Sequence, residues 1–320
     1  MNIARLLAGP ASVGLTICWM LSTAAIAQEV LRPPTGEDGS LVWQFHPGQV
    51  LSMEMVQDIE MTFSAAIRNI ESSSRITTDT TVHVHSVDEQ GVAEATSLIE
   101  RISLTTQAPG LNLEFDSDAN TRPTGPSAEI AQMMRPLIGA GIDQKMTPDG
   151  KIEDVVIPDK ALQGFENATP LLGSLFTRDS LEQMITQSSI EFPEPRPETG
   201  YTWETDRKLK MGPAPVSRKT TWTYLGVTDL AGKPVHRIQG QIEIDFPEGV
   251  EGTTVTVSDD KAVVDIWFDG VAGQLVRSRL NHQTRMSFET GTQTMEQSIR
   301  QSMNLEVESA RQPTEPSDKK

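Results

Sequence analysis

An alternation of apolar and polar residues between Leu51 and Phe63 is the feature that most constrains the fold of this chain. Six of the seven odd-numbered positions in this stretch are apolar, and most even-numbered positions are polar. Successive side chains of a strand point to opposite faces, so this pattern predicts one strand with a single buried face. Thirteen residues span about 43 Å, and strands of that length twist strongly. The alternation therefore favours a curled sheet or half-barrel over a flat layer.

Similar alternations follow along most of the chain and predict a mainly β protein. The other predicted strands cover residues 76–84, 92–105, 111–115, 219–227, 234–246, 253–257, 262–268, 275–288 and 295–307. We predict a hairpin turn at residues 148–150 and further turns at 259–260 and 269–270. Apolar spacing of three and four residues predicts a helix from Ser127, which could cap it, and two short helices within residues 158–187. The first of these two contains Leu171 to Phe176, and the second is opened by Asp179 or Ser180. The predicted fold is a curled antiparallel sheet or half-barrel with a few short helices.

The domain organisation follows from composition. Residues 1–27 predict a signal peptide, 28–40 a flexible linker, and 309–320 a disordered tail. The proline-rich segment at residues 192–198 is predicted to cross between two lobes. The first is a β lobe with helices over residues 41–191, and the second is a β lobe over residues 192–308. At an offset of 225, residues 61–75 share five identities with residues 286–300. Either the two lobes are pseudo-repeats, or amphipathic hairpins of similar composition resemble one another.

A positively charged start, a short apolar run and a small-residue end at Ala25-Ile26-Ala27 predict export to the periplasm or the extracellular space as a soluble protein. An uncleaved N-terminal anchor is the alternative. The single cysteine, Cys18, lies within this segment, so the mature chain has no disulfide. Arg5 is the only charge removed, so the formal charge of −17 becomes −18. An acidic surface of that size argues against nucleic acid as a partner.

Catalytic and metal-binding patterns are missing from the sequence. It contains no Gly-x-Ser-x-Gly, His-Glu-x-x-His or phosphate-binding glycine loop. His83 and His85 point to one side of a strand, and no third ligand is adjacent in sequence. Asp116 and Asp118 lie in a loop without the oxygen spacing of a calcium site. We therefore predict a protein that is not an enzyme and that has no metal or cofactor.

Methionine is concentrated in the long predicted hairpins. Because its side chain is flexible and polarizable, a sheet face lined with methionine suits an apolar ligand of variable shape. A core filled under the helices is the alternative explanation. The predicted ligand-groove residues are Met53, Met55, Met61, Phe63, Met286, Phe288 and Met295.

The order of short motifs resembles a domain-of-unknown-function family of secreted bacterial proteins over most of the mature chain. The motifs are Phe45-x-Pro47-Gly48, the methionine-rich strand, residues 87–93, residues 146–152 and Pro197-x-x-Gly200-x-Thr202-Trp203. More distantly, residues 267–270 running into 274–277 are similar to half-barrel periplasmic lipoprotein carriers. The family resemblance implies a fold and no activity, and neither resemblance assigns a functional residue.

The leading functional hypothesis is an envelope protein without catalytic activity that binds an apolar ligand, a lipid or acyl chain, between sheet and helices. The alternative is a structural or interaction module with a fully filled core and a protein partner in the envelope. A hydrolase is the third hypothesis, and it requires a carboxylate paired with His236 or His282 at the bottom of a pocket.

Overall fold

The chain forms one large antiparallel sheet with short helices. The computed structural model describes residues 30–65, 68–120, 122–166, 177–211, 214–245, 254–290 and 293–309. The strands of the sheet are β1 (Val50–Ala65), β2 (Arg68–Val87), β3 (Ala93–Ala108), β4 (Leu111–Asp116), β5 (Ile142–Met146), β6 (Ile152–Val156), β7 (Thr202–Met211), β8 (Ala214–Leu230), β9 (Lys233–Asp245), β10 (Thr254–Asp269), β11 (Gln274–Thr290) and β12 (Gln293–Ser309). The described ranges also contain the helices α1 (Pro126–Met134), α2 (Asp159–Glu166) and α3 (Arg178–Gln187). The predicted class, mainly β with a few short helices, is confirmed.

The first and last strands meet in the middle of the sheet. The strand order is β6-β5-β3-β2-β1-β12-β11-β10-β9-β8-β7, and β4 pairs with β3 beside this path. In the β1–β12 pair, Met53 lies opposite Val307 and Ile59 opposite Gln301. Strands from both halves of the chain, 41–191 and 192–308, therefore belong to one sheet. The sheet is not closed, and β6 and β7 are its two edges.

One face of the sheet, which we call the inner face, is buried. In β1 it carries the odd-numbered residues, of which Leu51, Met55 and Ile59 are buried. Even-numbered residues of β1 face outward, where Asp58 forms an exposed salt bridge with Arg75. The alternation between Leu51 and Phe63 thus separates the two faces as predicted.

Helices pack on the inner face and extend between its edges. Ile130 and Met133 of α1 and Phe165 of α2 join a hydrophobic cluster with Ile59 and Leu104 of the sheet. Helix α3 contacts both edge strands, β6 and β7, so the sheet curls until one helix reaches from edge to edge. None of the helices in the described ranges is long and apolar enough to cross a membrane.

Three local predictions were wrong. The pair Asp259-Asp260 is not a turn, because β10 continues through it with a register shift after Val257. A bulge adds a residue without ending the strand, and its composition resembles that of a turn. Ser127 lies inside α1, where its Oγ accepts the Glu114 N–H (3.1 Å). Helix α3 is capped by Thr177, not by Asp179 or Ser180.

Several predicted segments lie outside the described residues. These are the signal peptide at 1–27, the helix containing Leu171 to Phe176, and residues 310–320 of the tail. The described part of the predicted linker, from residue 30, packs on the sheet. Arg32 exchanges two backbone hydrogen bonds with Val227, and its guanidinium pairs with the buried carboxylate of Asp38.

Candidate functional site

A partly open cavity of about 280 Å³ lies between the inner face and the residues that follow α3. Strands β1, β2, β3, β11 and β12 line it, together with Trp43, the β5–β6 hairpin and residues 185–190. None of its 17 lining residues carries a charge. They are Trp43, Leu51, Met53, Val82, Ser97, Ile142, Gln144, Met146, Gly150, Ile152, Ile185, Ser188, Ser189, Ile190, Gln274, Leu275 and Val307.

Residues 188–192, which we call the strap, are hydrogen-bonded on one side to the turn of the β5–β6 hairpin and to Trp43. The Phe192 N–H donates to the Asp149 carbonyl (2.9 Å), and Trp43 Nε1–H donates to the Ile190 carbonyl (3.3 Å). Gly150 has a φ of +96°, and a Cβ there would lie 2.1 Å from the Ile190 oxygen. Only glycine allows this approach, so the predicted hairpin turn also docks the strap.

Two arginines hold the other side of the strap. Arg207 of β7 lies directly opposite Arg218 of β8. Arg207 donates to the Ser189 carbonyl (3.0 Å) and to Glu191 (2.9 Å), and Arg218 donates to the Gln187 carbonyl (3.1 Å). Burial, reinforced by the facing Arg207, lowers the pKa of Arg218 to about 10. The partial negative charge at the C-terminus of α3 offsets the repulsion between the two cations.

Gln144 and Ser97 form a polar spot in the otherwise apolar wall. The Gln144 side chain is buried, and its Nε2–H donates to Ser97 Oγ (3.1 Å). Within the described ranges no hydrogen bond reaches Gln144 Oε1. In contrast, the hydroxyls of Ser188 and Ser189 donate to backbone carbonyls of α3. The polar spot is thus a buried part of the wall that offers neutral hydrogen-bonding groups to an occupant.

The seven predicted ligand-groove residues share the inner face but not the cavity. The pairing of β1 with β12 and of β12 with β11 puts all seven on one face. Met53 lines the cavity, whereas Met55 and Met286 are buried in the core. The other four are half-buried at the far ends of the long hairpins, namely Met61, Phe63, Phe288 and Met295.

A buried polar row on the inner face was missed because residues 259–260 were predicted to form a turn. His282 Nε2 lies 2.8 Å from Asp260 Oδ1, and their side chains are 7% and 13% exposed. Next to them in register are Thr284 and Gln301. Thr284 Oγ1 and Gln301 Nε2 are buried and have no hydrogen-bond partner among the described residues. Neither His282 nor Asp260 lines the cavity, so this carboxylate–histidine pair does not form its floor.

Most of the cavity wall comes from residues that the sequence patterns did not single out. Trp43 precedes the first strand, and Ile190 lies in the strap between α3 and the proline-rich crossing. The sequence had singled out Met53 and the hairpin turn at 148–150. No group of three or more His, Cys, Asp or Glu side chains among the described residues is arranged to hold a metal ion.

The fold and the cavity define a class of protein: a β protein whose single open antiparallel sheet curls over an uncharged cavity. The chain belongs to DUF6263, a family of unknown function, whose model matches residues 90–258, slightly more than half of the chain. The predicted membership of a domain-of-unknown-function family is confirmed. Among curated proteins, none matches this chain.

Solved structures with related sheets are distant. A structure of lipid–protein interactions in lipovitellin is 11% identical, with a TM-score of 0.46, and covers 85% of this chain. This chain spans only 27% of the lipovitellin chain. The hypothetical lipoprotein YmcC from Escherichia coli is 12% identical (TM-score 0.20, covering 75% of this chain and 85% of YmcC). An outer membrane channel from Pseudomonas putida F1 is 7% identical (TM-score 0.23, 87% and 100%). At these scores the likeness carries no argument about function.

Proposed function

We propose that this protein is a non-catalytic protein of the cell envelope that binds an apolar ligand, a lipid or acyl chain, in the cavity beneath the strap. The observation that carries the proposal is the uncharged cavity of about 280 Å³. Pockets for small organic ligands measure about 300–1,000 Å³ and are lined mainly by apolar side chains. At about 280 Å³ the cavity is slightly smaller than that range, which suits a slender molecule.

The energetic cost of the cavity supports an occupant. Protein interiors are close-packed, and unfilled volume costs about 24 cal/mol per Å³. A fully enclosed cavity of this size would therefore cost at most about 7 kcal/mol. Elsewhere on the inner face, side chains such as Ile59, Leu104 and Met303 are fully packed. An apolar ligand would restore the contacts that are missing around this cavity.

Uptake of an uncharged apolar fluorophore, 1-N-phenylnaphthylamine, by residues 28–320 tests the proposal. Met53→Trp enlarges a side chain that lines the cavity. Met61→Trp is the matched control, because Met61 is also half-buried on the same face of the same strand but lies outside the cavity. We expect saturable uptake by the wild type and by Met61→Trp, and about tenfold weaker binding by Met53→Trp.

Two results would overturn the proposal. If the wild type shows no saturable uptake, the cavity has no ligand and the interaction module with a protein partner becomes the better hypothesis. If both variants bind as tightly as the wild type, the fluorophore binds elsewhere. Circular dichroism of both variants checks that the sheet is intact.

A further inference from the structure

We infer that the natural ligand is a medium-chain molecule carrying one uncharged hydrogen-bonding group, such as an alcohol or an acyl ester, and not an ionised carboxylate. The inference rests on the proposed function and names the ligand class of the same cavity. It comes from the chemistry of the polar spot and the volume around it.

The polar spot offers one acceptor and one donor. Gln144 is 7% exposed and lines the cavity. Its amide Nε2 donates to Ser97 Oγ (3.1 Å) and to Met146 Sδ (3.6 Å), which leaves Gln144 Oε1 as an acceptor and the Ser97 O–H as a donor. A ligand hydroxyl can donate to the first and accept from the second. An ester carbonyl can accept from Ser97. Pairing these groups is favourable because buried polar groups left unmatched are costly.

An ionised carboxylate does not suit the same place. No lysine, arginine or histidine is among the 17 lining residues, so nothing in the wall would neutralise its charge. A charge removed from water without a partner is strongly unfavourable. A carboxylate also has no proton to donate to Gln144 Oε1, and the two oxygens would repel each other. The site therefore discriminates against a fatty acid anion and in favour of a neutral head.

The volume sets the length of the apolar part. If a methylene takes about the 30 Å³ share of a water molecule, the 280 Å³ cavity holds nine or ten carbon atoms. Met53, Leu51 and Val307 form the apolar wall on the sheet side. A ten-carbon chain is thus a suitable probe.

Displacement of 1-N-phenylnaphthylamine by 1-decanol and by decanoate at about pH 8, where decanoate is ionised, tests the inference. We expect decanol to bind about tenfold tighter than decanoate. Gln144→Leu should weaken decanol binding about five- to tenfold more than it weakens fluorophore binding. Gln301→Leu is the matched control, since Gln301 is also a buried glutamine on the inner face but does not line the cavity. It should change neither. Ser97→Ala removes the donor hydroxyl and alters the side chain less than Gln144→Leu does. It should also weaken decanol binding.

The outcomes separate the two proposals. Equal binding of decanol and decanoate would overturn the inference on the neutral head and leave apolar binding standing. So would unchanged decanol binding in both Gln144→Leu and Ser97→Ala. Failure of the wild type to take up the fluorophore at all would instead refute the proposed function.

Discussion

Removing one partner of the ion pair between Arg237 and Asp265, on the outer face of the sheet, should cost far more stability than breaking an exposed pair. Arg237 Nη1 donates to Asp265 Oδ1 at 3.0 Å, and the two side chains are 5% and 6% exposed. Gln239 donates to the same oxygen (3.0 Å), and the Arg237 guanidinium lies 3.9 Å from the ring centre of Trp267. Asp265→Asn removes the negative charge and keeps the side-chain shape.

Breaking a buried pair from one side leaves an uncompensated buried charge and costs about 3–5 kcal/mol. Asparagine retains a carbonyl acceptor for Arg237, and the Trp267 contact remains. We therefore expect the lower end, a loss of about 3 kcal/mol in the free energy of unfolding. Asp58→Asn is the matched control. Its pair with Arg75 also lies on the outer face, with side chains 47% and 63% exposed, and should contribute less than about 1 kcal/mol.

Urea unfolding of both variants, followed by tryptophan fluorescence, measures the two losses. The dependence of free energy on urea should stay constant, so that a shifted midpoint reports stability. If Asp265→Asn and Asp58→Asn lower the free energy of unfolding equally, burial does not control the strength of these pairs and the reasoning is wrong.

Two further predictions concern pH and the strap. Burial lowers the pKa of His236 below 6.5, so the folded chain binds fewer protons there than the unfolded chain, and stability should fall as the pH drops below about 6.5. Urea unfolding above and below that pH should show that His236→Gln loses less free energy of unfolding on acidification than the wild type does. An equal loss in the two proteins would contradict the prediction. Gly150→Ala should destabilise by about 1–3 kcal/mol more than Gly48→Ala in thermal unfolding. Both glycines have positive φ (+96° and +79°), but only a Cβ at Gly150 meets the Ile190 oxygen, and equal losses would exclude that contact as the cause.

Local patterns predicted the strands because the signal for a strand is itself local. The strand predicted from Leu51 to Phe63 is observed as β1, which is longer by only one residue at its start and two at its end (Val50–Ala65). The hairpin turn at residues 148–150 was found from its Pro-Asp-Gly chemistry alone. Asp260 shows where such reasoning fails. An acidic pair next to a lysine has the composition of a turn, and only the pairing of β10 with β11 shows that the strand continues.

The sequence patterns gave the face on which the predicted groove residues lie, and not their position along it. Met53 lines the cavity, whereas Met61 and Met295 lie at the other end of the same face. The alternation in a strand shows on which face a side chain lies. It does not show how far that side chain is from the helix or strap that covers the sheet. Gln144 carried no signal, because a glutamine in a short strand has the same appearance whether it faces water or a cavity.

The sequence by itself determined the class of the fold, the burial of one face of each long strand and the chemistry of the turns. These properties depend on residues two to four positions apart, and their physical cause is the fixed periodicity of the backbone. The tertiary structure alone decided that β1 pairs with β12 and that the strap crosses from the β5–β6 hairpin to β7. It also decided that Trp43, Gln144, Ile190 and Val307 meet around one cavity. These cavity residues are up to 264 positions apart in the sequence, from Trp43 to Val307. Their proximity depends on strand register and packing, which no short stretch of sequence encodes.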